Sequence, residues 1–147
     1  MVKEGDRMPS FSAADQNGKT WSEKDLAGRK VVIYAYPKDS TPGCTAEACD
    51  IRDNHERFIA QGYTVLGVSK DSVESHVKFA AKYELPFPLL SDPEHLLLEA
   101  LGAWGEKKLY GKVSMGTLRK TFIFDENGTC TKVIDKVDTK NASSQIL

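Results

Sequence analysis

The sequence predicts an α/β domain built on a central mixed β-sheet flanked by helices. Three observations lead there. Two runs, Val31-Val32-Ile33-Tyr34-Ala35-Tyr36 and Tyr63-Thr64-Val65-Leu66-Gly67-Val68-Ser69, are nearly continuous in apolar and β-branched residues, as suits strands covered on both faces. A helix-like segment follows each run, the alternation that lays strands side by side in parallel. Further on, Arg119 to Phe124 and Thr129 to Val137 flank Glu126-Asn127-Gly128, a hairpin signal that adds antiparallel strands. The chain has 147 residues. With no internal repeat, low-complexity tract or linker, residues 1–147 read as one domain, long enough to bury a core without a disulfide scaffold.

Taken in order, Phe11-Ser12-Ala13 and Lys19-Thr20-Trp21 read as a hairpin closed at Asn17-Gly18. Ser22 to Leu26 forms a short helical turn that stops at Gly28. Pro37 ends the first buried strand. A long helix is expected from Gly43 to Gln61, with Ala48, Ile51, Phe58 and Ile59 as its inward stripe and Gly62 as its stop. After the second buried strand, Asp71 and Glu74 make a capping box for a helix that reaches Tyr83 through Val77, Phe79 and Ala80. Phe87 to Leu90 is a short strand. Asp92 caps a helix with Pro93 at its first position, ending at Leu101-Gly102. Residues 103–117, with Gly105, Gly111 and Gly116, read as a loop, and Asn141 to Leu147 as a weak terminal helix.

Composition narrows the function classes. Apolar residues are 40% and charged residues 28%, ordinary for a globular protein, and the formal net charge is −1. No basic run of five or more residues occurs, so nucleic acid is not the expected partner. The longest apolar stretches are about six residues, far short of a bilayer span, so no membrane partner is expected. The N-terminal Met1-Val2-Lys3-Glu4-Gly5-Asp6-Arg7 lacks the apolar core of a secretory signal, and a cytoplasmic location is expected. Thiols stay reduced there. The three cysteines, Cys44, Cys49 and Cys130, are therefore read as chemistry or packing rather than as staples.

The informative segment is Pro37-Lys38-Asp39-Ser40-Thr41-Pro42-Gly43-Cys44-Thr45-Ala46-Glu47-Ala48-Cys49. It lies where a central strand ends and a helix begins, the edge at which open α/β sheets bind ligands. Cys44 falls in the first helical turn, where free amides and the helix dipole favour a thiolate. A cysteine there is either a reactive thiol or a buried packing residue. Cys44 shares a face with Ala48 and Ile51 and points inward, whereas Cys49 lies roughly 140° around the helix, beside Thr45, Arg52 and Glu56. In a wound helix their Cα atoms are roughly 8.7 Å apart, and a disulfide wants less than about 7 Å. The pair can bond only if the first turns unravel, which suits a transient redox disulfide and not a staple.

Ionisation is not the whole of such chemistry. Bringing a thiol from its usual range to near 6 raises the thiolate fraction at pH 7 by only about thirtyfold. Fast reaction with a weak electrophile also needs donors facing the departing oxygen. Thr41 offers a hydroxyl three residues before Cys44, the amides of Gly43 and Cys44 can converge on one point, and Gly43 keeps the approach open. Pro37 and Pro42 stiffen the loop, and Pro37 can exclude water from one side.

Pro37-x-x-x-Thr41-x-x-Cys44 resembles the peroxiredoxin motif, and Tyr36 to Cys49 as a string is similar to the bacterioferritin-comigratory protein, or peroxiredoxin Q, group. Ile51-Arg52-Asp53, Trp104 to Lys108 and Arg119 to Asp125 extend the likeness over nearly the whole chain. The resemblance implies a thioredoxin-like fold with an added N-terminal β-hairpin. It implies a peroxidase that reduces hydrogen peroxide and organic hydroperoxides with no metal, haem, flavin or nucleotide cofactor. By the same resemblance Cys44 matches the peroxidatic cysteine, Thr41 and Pro37 the motif partners, Arg119 the arginine at the thiolate, and Cys49 the resolving cysteine. Glu47 matches a glutamate that orients Arg119 or caps the helix. The implied partners are a hydroperoxide and thioredoxin or a similar dithiol reductant, and the implied state is a monomer.

Other features carry less. His55, His76 and His95 read as surface or boundary residues, and none has zinc-site spacing to a cysteine. Cys130 reads as a strand residue, and Glu106-Lys107-Lys108 as a solvated loop with a capacity to dock an acidic reductant. Two rival functions are a thiol–disulfide reductase and a holdase. The lack of Cys-x-x-Cys disfavours the first, and the lack of an apolar exposed stripe the second.

Overall fold

The computed structural model describes residues 1–108 and 110–147 in full and, at Leu109, the backbone alone. A seven-stranded mixed sheet forms the centre. The N-terminal hairpin pairs β1 (Ser12–Ala14) with β2 (Thr20–Ser22), and a 3₁₀ turn follows at Glu23–Leu26. Strand β3 (Lys30–Ala35) lies parallel to β4 (Tyr63–Ser69), which lies parallel to β5 (Leu89–Ser91). On the other side of β3, β8 (Lys120–Phe124) runs antiparallel, followed by β9 (Cys130–Ile134). The order across the sheet is β2-β1-β5-β4-β3-β8-β9. The mixed sheet and both hairpins are those the sequence predicts.

The helices are α1 (Pro42–Asp53), α2 (His55–Ala60), α3 (Val73–Tyr83), α4 (Leu96–Leu101) and α5 (Ala142–Ile146). Side chains alternate along β3. Val31, Ile33 and Ala35 enter a core shared with Leu97, Leu98 and Leu101 of α4. Val32 and Tyr34 enter a second core with Cys44, Ala48 and Ile51 of α1, Phe58 of α2 and Phe79 of α3. Both faces are covered, which is why these strands read as continuous apolar runs. Gly67 on β4 makes room for that packing, because a Cβ there would meet Leu89 and the Tyr34 ring at 2.9 Å. No helix among the described residues is long and apolar enough to cross a membrane.

Several elements differ from the sequence reading. The long helix is two, parted at Asn54, whose side-chain amide donates to the Asp50 carbonyl at 2.8 Å. A polar side chain that competes for backbone acceptors interrupts a helix in this way. The second piece turns Phe58 inward and leaves Ile59 exposed. The cap of α3 is Ser72, which accepts from the Ser75 amide; Asp71 turns instead to the Asp39 amide. The inward face of α3 holds His76, Phe79 and Ala80, while Val77 is exposed. Asp92 still caps α4, accepting from the Leu98 amide at 2.8 Å, but the helix begins only at Leu96, after His95 in a left-handed conformation.

The segment read as a loop is a second, two-stranded sheet, β6 (Trp104–Leu109) with β7 (Lys112–Thr117). Its turn is Tyr110-Gly111, both at positive φ. Two left-handed residues in succession match the twist of a two-residue hairpin, and tyrosine at the first of them hid the turn from the sequence.

Candidate active site

The site forms at the carboxyl end of β3, where the chain leaves the sheet through residues 36–41 and enters α1. Thr41 is extended, and Pro42 opens the helix at a position where its missing amide costs nothing. Cys44 follows in the first turn and is only 1% exposed. Ala48 and Ile51 on the same face are fully buried, as the helical spacing predicts. The first-turn amides have no intrahelical acceptor upstream, and the Thr41 side chain does not cap them.

Arg119 stands immediately before β8. Pairing of Ala35 with Lys120 across β3 and β8 brings it to the head of α1, although 75 residues separate it from Cys44. Its Nη2 donates to Cys44 Sγ at 3.2 Å, and its Nη1 donates to Glu47 Oε1 at 2.7 Å. One guanidinium thus holds the sulfur with one arm and a buried carboxyl with the other, a fork that lysine cannot reproduce. Gly43 leaves space for it, since a Cβ there would lie 3.3 Å from Nη2.

Glu47 is fully buried, and its second oxygen takes no hydrogen-bond partner among the described residues. Burial pushes its carboxyl up to about 7, with Arg119 only partly offsetting this and Asp50 adding to it. Burial works against charge on Arg119, but attraction to Glu47 and Cys44 and hydrogen bonds to both outweigh it and hold the guanidinium above its ordinary value. Tyr34 lies beneath, its phenol pushed well up by burial and then by Glu47, Cys44 and Asp39. Cys44, Glu47 and Tyr34 are thus buried together beside the Arg119 guanidinium, which places positive charge at hydrogen-bond distance from the sulfur.

The remaining predicted residues are placed as follows. Thr41 Oγ1 donates to the Lys38 carbonyl at 2.8 Å. Its proton is spent within the loop, so the hydroxyl is left with acceptor capacity only and not the expected donor role. Half-buried Pro37 borders a cleft of about 360 Å³ shared with Lys38, Lys70, Lys107 and Lys108, which gathers the basic residues of the presumed loop beside the site. Cys49 is half-buried on the other side of unbroken α1, and all three cysteines are free thiols. One residue beyond it, Asp50 is tied to α5, accepting from the Ser143 amide at 2.7 Å and hydroxyl at 3.2 Å.

Sequence reasoning missed His76, which is buried and not at the surface, with Nδ1 2.7 Å from Asp39 Oδ2. Its spacing to Phe79 and Ala80 is the signal that could have turned it inward. Asp39, Asp71 and His76 are the one metal-type cluster among the described residues, with ligand atoms within 4.8 Å of one another. Those atoms are already engaged by Tyr36, Ser69, Ser75 and the Leu90 carbonyl, so the group is satisfied by protein alone.

A mixed sheet with an arginine-held thiol at the head of its first long helix defines the thioredoxin-like, peroxiredoxin class. The fold is similar to that of Xylella fastidiosa PrxQ, with a TM-score of 0.92 and 29% identity, over 99% of this chain and 93% of that one. It is similar also to the Xanthomonas campestris bacterioferritin comigratory protein, with a TM-score of 0.88 and 37% identity, over 92% and 87% of the two chains. Peroxiredoxin Bcp of Bacillus subtilis is 44% identical over 146 residues, 99% of this chain and 93% of that protein. Residues 4–133 match the AhpC/TSA family model, and the chain belongs to that family. Its relatives place it with the Bcp/PrxQ peroxiredoxins and so with the thiol peroxidases.

Proposed function

We propose that this chain reduces hydrogen peroxide and organic hydroperoxides through Cys44 and recycles itself through Cys49. The observation that carries the reading is the fork of Arg119, with one nitrogen on Cys44 Sγ and the other on buried Glu47. The alkyl peroxide reduction activity of the Xanthomonas campestris relative supports the choice of substrate.

In the first step the Cys44 thiolate attacks one peroxide oxygen. The O–O bond breaks, the sulfur is oxidised to a sulfenic acid, and the second oxygen leaves with a proton as water or alcohol. Arg119 stabilises the thiolate and donates to the oxygens as charge shifts between them. Thr41 accepts from the peroxide O–H, which orients it for in-line attack, and Pro37 shields one side from water. Glu47 keeps the guanidinium from swinging away. In the second step the first turns of α1 unwind, Cys49 sulfur attacks Cys44 sulfur, and water is lost as the disulfide forms. In the third, a dithiol such as thioredoxin reduces that disulfide by exchange. No partner chain enters this cycle, and the proposed working unit is the monomer.

Mass spectrometry after one equivalent of hydrogen peroxide is the direct test. The expected product is a Cys44–Cys49 bond within one chain. Cys49→Ser is expected to stop at the sulfenic acid on Cys44. Peroxide consumed with Cys44 still a thiol refutes the reading.

A further inference from the structure

The buried pair Asp39–His76 takes no part in the chemistry proposed above. Asp39 belongs to the connection between β3 and α1. Its carboxylate accepts from Tyr36 Oη at 2.6 Å and Ser75 Oγ at 2.8 Å, and His76 Nδ1 lies 2.7 Å away. The other ring nitrogen, Nε2, faces the Leu90 carbonyl at 3.1 Å. Both ring nitrogens thus face oxygen atoms, one of the connection's carboxylate and one of the β5 backbone. The Asp39 amide donates to the Asp71 carboxylate at 2.9 Å, and Ser69 Oγ donates to the same oxygen at 2.6 Å. Burial works against ionisation of Asp39, but hydrogen bonds from His76 and Tyr36 outweigh it and hold the carboxyl below its ordinary range.

These ties bear on the next residue. Ser40 sits at φ +65, a left-handed conformation that a residue with a Cβ rarely adopts. Such a residue persists only where its surroundings over-determine it. Asp39 anchors the chain just before it, and the Thr41–Lys38 bond closes the turn just after. Pro42 then starts α1, with Cys44 in its first turn.

We infer that Asp39 and His76 are positioning residues that hold the strained Ser40 turn and thereby aim Pro37, the Thr41 hydroxyl and the first turn of α1 at the incoming hydroperoxide. The inference rests on the peroxidase reading and deepens it, because neither residue touches the sulfur. It separates two properties of Cys44. Alkylation by a maleimide needs only that the nearly buried sulfur be reached, which a loosened loop does not hinder, whereas peroxide reduction also needs the loop in register, where a displacement near 1 Å costs up to about a hundredfold.

The experiment follows both rates at the Cys44 peptide by mass spectrometry, with near-ultraviolet circular dichroism as the check on folding. His76→Leu is expected to slow oxidation by hydrogen peroxide about tenfold or more while alkylation either rises or falls no further than about threefold below wild type. His76→Asn, which returns a donor toward Asp39 near the position of Nδ1, is expected to recover most of the loss. Tyr36→Phe removes one hydrogen bond to Asp39 and keeps the ring, so it serves if His76→Leu does not fold; about a threefold loss in oxidation alone is expected. Oxidation at the wild-type rate in the folded variant overturns the inference, and so does an equal fall in both rates. If wild-type Cys44 ignores peroxide, the peroxidase reading fails instead, so the two failures are distinguishable.

Discussion

Cys44 and Cys130 are each 1% exposed, but they lie in the two different cores that cover opposite faces of the sheet. Cys44 has a guanidinium nitrogen 3.2 Å from its sulfur, in the first turn of a helix. Cys130 sits on a strand, its thiol donating to the Lys132 carbonyl at 3.5 Å. Burial pushes the Cys130 thiol up, the Lys132 bond only partly counters this, and Glu4 and Asp6 add to the rise. Equal concealment therefore goes with different neighbours, a guanidinium at hydrogen-bond distance in one case and the carboxylates of Glu4 and Asp6 in the other. What prepares a sulfur for redox work is the sign of the nearest charge and the free amides beside it, and burial alone makes a cysteine inert.

The largest test of that contrast is the pair of serine variants. Cys44→Ser is expected to abolish hydroperoxide turnover with a dithiol donor, whereas Cys130→Ser is expected to keep turnover within about twofold and to lose about 1–2 kcal/mol of stability through its buried hydroxyl. Turnover assays and urea titration read the two effects. Removing the cation comes next. Arg119→Leu is expected to slow the first oxidation of Cys44 about a hundredfold, the usual cost of one well-placed donor, as measured by stopped-flow fluorescence.

Glu47 sharpens the comparison through pH. Its carboxyl is raised from 4.5 to about 7 in the folded chain. The folded state therefore holds its proton more tightly than the unfolded state, so this contribution to stability is complete below about 4.5 and is lost as pH rises through about 7. Wild-type urea midpoints are expected to fall across that window by the equivalent of about 3 kcal/mol relative to Glu47→Gln, which has no proton to lose there. Parallel midpoints for the two proteins would count against the buried carboxyl. The smallest effect is steric. Gly43→Ala places a methyl 3.3 Å from Arg119 Nη2. It is expected to shift the guanidinium by a few tenths of an ångström and to slow oxidation only a few-fold, with the effect absent when Arg119 is already Leu.

Much of this molecule is written in local sequence. The apolar runs at 31–36 and 63–69 became β3 and β4 because strands covered on both faces need side chains of that kind at every position. The inward aim of Cys44 was legible because helical spacing puts it on the face of Ala48 and Ile51, whereas Pro42, read as part of the loop, opens the helix, and Thr41 spends its proton within the loop. The same local reading miscast 103–117, since glycine-rich strands and a Tyr-Gly turn look like a loop until Trp104 pairs with Thr117 and Gly105 with Gly116. It also placed His76 outside, because the residue that justifies a buried histidine, Asp39, lies 37 positions away.

By itself the sequence determined the mixed α/β architecture, the strand-to-helix junction and the inward aim of Cys44, all of which follow from periodicity and end effects over a few residues. Periodicity and end effects could not say which charge meets that sulfur; the family resemblance implied Arg119, and only the tertiary structure supplies the physical reason. Arg119 arrives through the β3–β8 pairing and Glu47 is desolvated by the packing around α1. Such contacts depend on strand order and burial, and no short stretch of chain encodes either.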